Sequence, residues 1–269
     1  MGILRGRGSG RVAAYRRGVR PSPPGRRVCA GRLPTVPDDL GDLTADHDWL
    51  VEDREYARQE ARRGRRHAYE SLDPGRTALV VVDVVPFFVR GSAYVRGIVP
   101  RVNRVATALR DAGGVVAWVV PAYAPPTAKD REFFGDAVAE LYARSGGEGL
   151  PRSRLHDGLA VRPEDLVVEK IARSAWFPGS SELPALLAAR RIDTLLVAGT
   201  VTNVCVEDTV RDASTCGLRV ILVADACAAV RDRDHNATLH VVYRSYGDVR
   251  PTSEVLDLVE AGRRQVASS

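Results

Sequence analysis

Residues 192–208 read IDTLLVAGTVTNVCVED and combine a buried-strand pattern with a turn and the start of a helix. The apolar run 195–198 has no polar interruption, which is typical of a strand that is covered on both faces. Gly199 ends the run, and the residues after it suit a turn followed by a helix with Thr202 as its N-cap. This stretch therefore predicts a strand–turn–helix unit in which Cys205 lies in the first helical turn.

Four other apolar runs resemble this strand, and segments with helical spacing separate them. The runs cover 78–82, 115–120, 166–168 and 218–224, and a further short strand is expected around Val249. Continuously apolar strands that alternate with helices predict one doubly wound, Rossmann-like α/β domain. Its mostly parallel sheet has about six strands, with helices on both faces. No strand is followed by a G-x-G-x-x-G or Walker motif, which argues against a nucleotide site.

Length and charge restrict the classes of function. The chain has 269 residues, of which 45% are hydrophobic, and this suffices for one large domain. No apolar run approaches the roughly 20 residues that a membrane span needs. Residues 1–37 carry nine arginines and no acidic residue, so the rest of the chain has a net charge of −4 although the whole chain has +5. We therefore expect a cytoplasmic protein with neither nucleic acid nor membrane as a partner.

Composition divides the chain into three parts. Residues 1–37 are rich in arginine, glycine and proline and are predicted to be a disordered tail. A transit peptide, a tail that binds an acidic surface and an extension without a role all remain open for it. Residues 38–72 form a charged helical segment, in which we expect His47 and His67 on the surface. The α/β domain is predicted over 73–262.

The cysteines are expected to be reduced. Cys29, Cys205, Cys216 and Cys227 show no C-x-x-C spacing, and no hydrophobic secretion segment precedes them. Cys205 differs from the others by its predicted place at a helix start, where unpaired N–H groups and the helix dipole favour thiolate. A buried, inert cysteine is the alternative interpretation of the same position.

Polar residues follow three of the predicted strands. Asp83 ends the first strand, Lys170 the third, and Cys205 follows the fourth. Carboxyl ends of parallel strands share one edge of the sheet, where ligand crevices lie. Each residue alone also suits a cap, a solvated charge or a core thiol. Together they suit acyl transfer, with Lys170 beside a thiolate nucleophile and Asp83 as a proton shuttle whose pKa an apolar crevice would raise.

Three stretches resemble the Asp, Lys and Cys motifs of the isochorismatase-like cysteine hydrolases. They are TALVVVDVVPFFV at 77–89, VVEKIARSAWFPGS at 167–180 and AGTVTNVCVEDTVRDA at 198–213. The last is the most diagnostic, because a glycine, a threonine-containing turn and a cysteine recur there at the same spacing. The resemblance extends over about 77–259.

This resemblance implies roles for individual residues. The catalytic triad of the family corresponds to Asp83, Lys170 and Cys205. We expect the reaction at the cysteine to need no cofactor. The backbone N–H groups of Val201 and Cys205 correspond to its oxyanion hole. Family members have a cis peptide bond at this turn, so a cis Thr200–Val201 bond is expected.

Departures from the family pattern narrow the expected substrate. Many members have Asp-x-Gln after the first strand, whereas Val84 and Val85 follow Asp83 here. Metal-dependent nicotinamidases carry Asp-x-His after the second strand, whereas residues 120–123 read VPAY. We therefore expect no metal and no activity on nicotinamide. The presence of Cys205 favours hydrolysis of a C–N bond.

The resulting hypothesis is a cysteine-dependent amidohydrolase that acts on a small amide, lactam or ureido compound. An isochorismatase-type vinyl-ether hydrolase and a catalytically idle assembly domain are the alternatives. The resemblance also implies a homodimer or homotetramer. Aromatic residues in the loops after the triad strands are candidates for the pocket wall, although each also suits core packing: Phe87, Phe88, Tyr123, Trp176 and Phe177.

Overall fold

Six parallel strands form one sheet in the computed structural model of the chain, which describes residues 43–268. Their order across the sheet is β3-β2-β1-β4-β5-β6. The strands are β1 Thr77–Val82, β2 Val115–Pro121, β3 Leu166–Lys170, β4 Thr194–Thr200, β5 Arg219–Ala228 and β6 Asp248–Arg250. The predicted fold class, a parallel doubly wound sheet, is confirmed.

Helices cover both faces of this sheet. In chain order they are α1 Asp53–Arg63, α2 Pro86–Arg90, α3 Ala93–Asp111, α4 Ala128–Phe134, α5 Asp136–Ala143, α6 Leu183–Ala189, α7 Glu207–Thr215, α8 Asp232–Ser245 and α9 Thr252–Ala267. Apolar residues of α3 and α9 pack on one face of the sheet. Those of α6, α7 and α8 pack on the other face. Burial on both faces explains why the central strands are apolar without interruption.

The order of the strands places a crevice between β1 and β4. β1 pairs with β2 on one side and with β4 on the other, so the chain winds outward in opposite directions from this pair. Ligands of open α/β sheets bind outside the carboxyl ends of the strands at such a switch point. Asp83 follows β1 directly, and Cys205 follows β4 after a short turn. The fold therefore brings these two residues to the same place.

Gly199 permits a close approach of β4 to β1 beside this crevice. Its φ of 116° lies in a region that side chains disfavour. A Cβ atom there would lie 2.1 Å from the carbonyl oxygen of Val82. The register between β4 and β5 also shifts here, between Val197 and Gly199. A glycine is therefore required where β4 leads into the turn that carries Cys205.

Two predicted element boundaries were wrong. The fifth strand does not end before Asp225 but continues through it to Ala228, because the shifted register lets Ala228 pair with Thr200. Helical spacing at 134–144 predicts one helix there, which corresponds to α5. Its start lies after Gly135, whose φ is 78°, and α4, which ends at Phe134, was not predicted. No helix among residues 43–268 is long and apolar enough to cross a membrane. The predicted tail 1–37 lies outside the described residues.

The described part of the charged segment, residues 43–72, contains one helix, α1. Residues 43–52, called the N-terminal strap below, have no regular structure and lie against α3 and α8. The N–H of Ala45 donates to the carbonyl of Ala93 at 3.0 Å. The guanidinium of Arg101 donates to both carboxylate oxygens of Asp46 at 2.6 and 2.7 Å. The strap is thus attached to the body by backbone and charged contacts.

The prediction that His47 and His67 are surface residues was wrong. The side chain of His47 is only 3% exposed. Its two ring nitrogens are satisfied by Asp232 and by the N–H of Ala229, which makes burial of the ring tolerable. His67 is half-buried and lies 3.4 Å from Glu254.

Candidate active site

The structure brings Asp83, Lys170 and Cys205 together at the carboxyl edge of the sheet. The Nζ atom of Lys170 lies 3.0 Å from Oδ2 of Asp83. It also lies 3.5 Å from Sγ of Cys205 and donates to the carbonyl of Ala172 at 3.2 Å. A cation thus lies between a carboxylate and a thiol. This is the arrangement that the strand ends predicted.

Asp83 is held by the backbone at the end of β1. Its φ of 56° is left-handed, a conformation that aspartate tolerates better than most residues. Its N–H donates to the carbonyl of Val119, and its own carbonyl accepts from the N–H of Val85. The residue is 0% exposed. The carboxylate therefore points into a dry crevice with a fixed direction.

Burial and mutual attraction set the protonation of the charged pair. Burial raises the pKa of Asp83, and the ammonium of Lys170 only partly opposes this effect. Burial lowers the pKa of Lys170, but the interactions of its ammonium with Asp83 and Cys205 are stronger, so the pKa is raised overall. The result is a charged lysine beside a carboxylate that binds a proton more readily than an ordinary aspartate.

The surroundings of Cys205 oppose the thiolate that a helix start would favour. Burial, with the carboxylate of Asp83 adding to it, raises the pKa of Cys205 to about 12. Lys170 favours the thiolate but does not compensate for these two effects. The raised pKa favours the protonated thiol over the thiolate.

The turn that carries Cys205 differs from the predicted helix start. Residues Thr202–Val206 form a π-helical turn that continues into α7. Thr202 is not an N-cap, because its hydroxyl pairs with Nδ1 of His235 at 2.9 Å instead. The carbonyl of Val201 accepts from the N–H groups of Val204 and Val206. The Thr200–Val201 peptide bond is cis, as predicted.

Thr209 connects the loop after β3 with the helix of the nucleophile. Its hydroxyl donates to the carbonyl of Cys205 at 2.7 Å and accepts from the N–H of Ala175 at 3.0 Å. Thr209 is fully buried. Because Ala175 lies in the loop that follows Lys170, this hydroxyl couples the positions of the lysine loop and the cysteine turn.

The five aromatic candidates for the pocket wall lie in different environments. Phe87 and Phe88 are half-buried and pack on the core formed with α3. Trp176 is buried in the core on the opposite face. Tyr123 and Phe177 are more than half exposed. The exposed pair has the surface that a substrate could contact, whereas Trp176 is chiefly a core residue.

Sequence reasoning missed two buried histidines near the nucleophile. His235 is 0% exposed and contacts Thr202, and His47 stacks on it. The signal that could have found His235 is its place in the first turn of the helix that follows β5. Among residues 43–268, no group of three or more His, Cys, Asp and Glu side chains has an arrangement that could hold a metal ion.

The sequence of this chain is similar to known proteins. Residues 77–254 match the sequence model of the isochorismatase domain. Maleamate amidohydrolase of Pseudomonas putida is 29% identical over 180 residues, which are 65% of this chain and 82% of that protein. N-carbamoylsarcosine amidase of an Arthrobacter species is 30% identical over 171 residues, which are 61% of this chain and 62% of that protein.

A solved structure agrees with these sequence matches. The crystal structure of a cysteine hydrolase from Pseudomonas syringae pv. phaseolicola 1448A superposes with a TM-score of 0.62 at 27% identity. The match covers 73% of this chain and 97% of that one. Nearly three quarters of the chain therefore has a counterpart in a solved structure.

Proposed function

The chain belongs to the isochorismatase family, and from this premise we propose that it hydrolyses a C–N bond through a thioester on Cys205. The proposed substrate is a small amide, lactam or ureido compound. Two similar proteins are named as a maleamate amidohydrolase and an N-carbamoylsarcosine amidase, and these activities support the proposed class of substrate.

The observation that carries the proposal is the contact of Lys170 with both Asp83 and Cys205. A nucleophilic thiol needs a base to take its proton and a cation to stabilise the sulfur anion. The 3.0 Å and 3.5 Å distances from Nζ place one ammonium against both anionic groups. A core thiol without a catalytic role has no need of a buried ion pair beside it.

The proposed reaction moves one proton back and forth through Asp83. The carboxylate takes the thiol proton while Sγ of Cys205 attacks the substrate carbonyl carbon. Asp83 then gives this proton to the leaving nitrogen, the C–N bond breaks, and a thioester remains. In the second half Asp83 takes a proton from water, which attacks the thioester carbon. The acid product leaves as Asp83 returns the proton to the sulfur.

The oxyanion of both tetrahedral intermediates needs donors. We assign this role to the backbone N–H groups of Val201 and Cys205, which belong to the turn between β4 and α7. Such donors act when they lie roughly 3 Å from the developing oxyanion, and removal of one costs about 10²–10³ in rate. Lys170 keeps its proton throughout and lowers the free energy of the sulfur anion.

Ammonia release from a panel of amides tests the proposed function. The panel contains maleamate, N-carbamoylsarcosine, short aliphatic amides and ureido acids, with nicotinamide as the amide that we expect to be inert. Lactams, whose hydrolysis opens the ring without release of ammonia, are followed by the appearance of the new amino group. We expect hydrolysis well above the uncatalysed rate for at least one member other than nicotinamide. Release of pyruvate from an enolpyruvyl ether, with no amide hydrolysed, would instead support a vinyl-ether hydrolase.

The raised pKa of Asp83 predicts the acid side of the pH–rate profile. The base works only when it is ionised, and burial raises its pKa above the ordinary aspartate value of about 3.9. As the pH falls through the raised pKa, Asp83 becomes protonated and kcat/KM falls. We therefore expect the acid limb at a pH above the ordinary aspartate range, measured between pH 4 and 8. A rate that stays constant down to pH 4 would contradict the assignment of Asp83 as base.

A further inference from the structure

A stack of three rings connects the N-terminal strap with the turn of the nucleophile. The ring of His47 is stacked between those of Tyr94 and His235, with centroid distances of 3.9 and 4.3 Å. The interplanar angles are 9° and 10°. Nδ1 of His235 lies 2.9 Å from Oγ1 of Thr202, the first residue of the turn that contains Cys205.

Both ring nitrogens of His47 have hydrogen-bond partners. Nδ1 lies 2.6 Å from Oδ1 of Asp232, and Nε2 accepts from the N–H of Ala229 at 2.9 Å. Because an N–H must be directed at the carboxylate and a lone pair at the amide, the tautomer is determined. Asp232 is also the first residue of α8, the helix that carries His235. The ring of His47 therefore cannot turn without loss of two hydrogen bonds.

His235 forms a buried hydrogen bond with Thr202, in which Nδ1 lies 2.9 Å from Oγ1. Burial lowers the pKa of His235 to about 3, so the ring is neutral and has one N–H. The carbonyl of Ala224 lies close enough to favour a proton on the ring. Nε2 has no hydrogen-bond partner of good geometry among the described residues. The contact between Nδ1 and Thr202 is therefore the hydrogen bond of good geometry that the ring makes among the described residues.

We propose that His235 is a positioning residue for the Thr202–Val206 turn and that His47 holds His235 in place. The strap lies before residue 77, where the match to the family begins. In this proposal a segment outside the family domain helps to align the turn that carries Cys205. Alignment matters because a shift of about 1 Å at a reacting group can cost 10²-fold in rate.

Thr202→Val tests this role, and Thr77→Val is the matched control. Both threonines are at most 1% exposed, and the hydroxyl of Thr77 donates to the carbonyl of Asp73 at the amino end of β1. Both variants should lose a similar amount of thermal stability. Only Thr202→Val should lower kcat, by about 10- to 100-fold at nearly constant KM. Thr202→Ser should restore most of the activity.

A second readout does not depend on the proposed function. The rate at which iodoacetamide alkylates Cys205, followed by the mass of its peptide, reports the position of the sulfur without any substrate. We expect Thr202→Val to change this rate severalfold and Thr77→Val to leave it unchanged. If no amide is hydrolysed by the wild type, the proposed function fails while this readout still decides the inference.

Two substitutions of His235 separate positioning from simple packing. The side-chain amide of asparagine reaches the position of Nδ1 of histidine, whereas the amide of glutamine reaches the position of Nε2. We therefore expect His235→Asn to retain more activity and a more native alkylation rate than His235→Gln. This comparison also decides the matter if Thr202→Val does not fold. Equal losses in the two variants would overturn the proposal.

A double-mutant cycle tests the contribution of the strap. If His47 acts through His235, the effects of His47→Ala and Thr202→Val on the alkylation rate should not be additive. The effects of His47→Ala and Thr77→Val should be additive. Additive effects in both cycles would show that the strap only stabilises the fold. Thr202→Val with wild-type kcat and alkylation rate would overturn the role of His235 as well.

Discussion

Cys205→Ser should lower the rate of amide hydrolysis by a factor on the order of 10³ or more while the protein stays folded. The serine hydroxyl is a much weaker acid than the thiol, and the carboxylate of Asp83 is too weak a base to ionise it. The raised pKa of Cys205, about 12, already makes the thiol hard to deprotonate at rest. Ammonia release by the purified variant, with its melting temperature as a check of folding, measures the effect.

The other described cysteines provide the controls. Cys216 is exposed, so Cys216→Ser should leave both rate and stability unchanged. Cys227 is 1% exposed, and Cys227→Ser should lower stability without an effect of the same size on the rate. If Cys205→Ser retains a tenth of the wild-type rate, hydrolysis does not pass through a thioester at this residue.

Asp83→Asn should have the second large effect, on stability as well as on rate. The amide cannot act as a base, which should lower kcat by about 10²–10⁴. The substitution also leaves the ammonium of Lys170, 4% exposed, without its counter-charge. Loss of one partner of a buried ion pair typically destabilises a protein by about 3–5 kcal/mol. Chemical denaturation and steady-state kinetics measure the two effects on the same sample.

The double variant Asp83→Asn/Lys170→Met separates these two effects. Replacement of the unpaired ammonium by an apolar side chain of similar length should recover much of the lost free energy of unfolding. The rate should stay low, because the base is still absent. A single variant Asp83→Asn that is as stable as the wild type would contradict the ion pair as described. Recovery of activity in the double variant would contradict the role of Asp83 in proton transfer.

The sheet and the placement of the three polar residues follow from local sequence. Uninterrupted apolar runs such as 78–82 and 195–198 indicate strands buried on both faces. The polar residue that ends such a run must then lie at the carboxyl edge. Asp83 and Lys170 were placed correctly for this reason. Their close approach also needed the strand order, which comes from the way the chain crosses the sheet and which local patterns do not specify.

The surroundings of the nucleophile were harder to predict, because they depend on contacts between distant parts of the chain. His47 lies in a charged stretch that resembles a solvated helix, and only the contact with Asp232, 185 residues away, explains its burial. Thr202 suits an N-cap by its residue type, but the nearby ring of His235 competes for its hydroxyl. The pKa of Cys205 likewise depends on how completely the crevice excludes water.

Acid quench during turnover of the best amide substrate, followed by the mass of the peptide that contains Cys205, detects the proposed thioester. If a thioester forms, this peptide should gain the mass of the substrate acyl group. Because Asp83→Asn slows the attack of water on the thioester, this variant should accumulate a different amount of the acylated peptide. The thioester route would be contradicted by an acyl group found on another residue. Turnover with the Cys205 peptide unmodified at every quench time would contradict it as well.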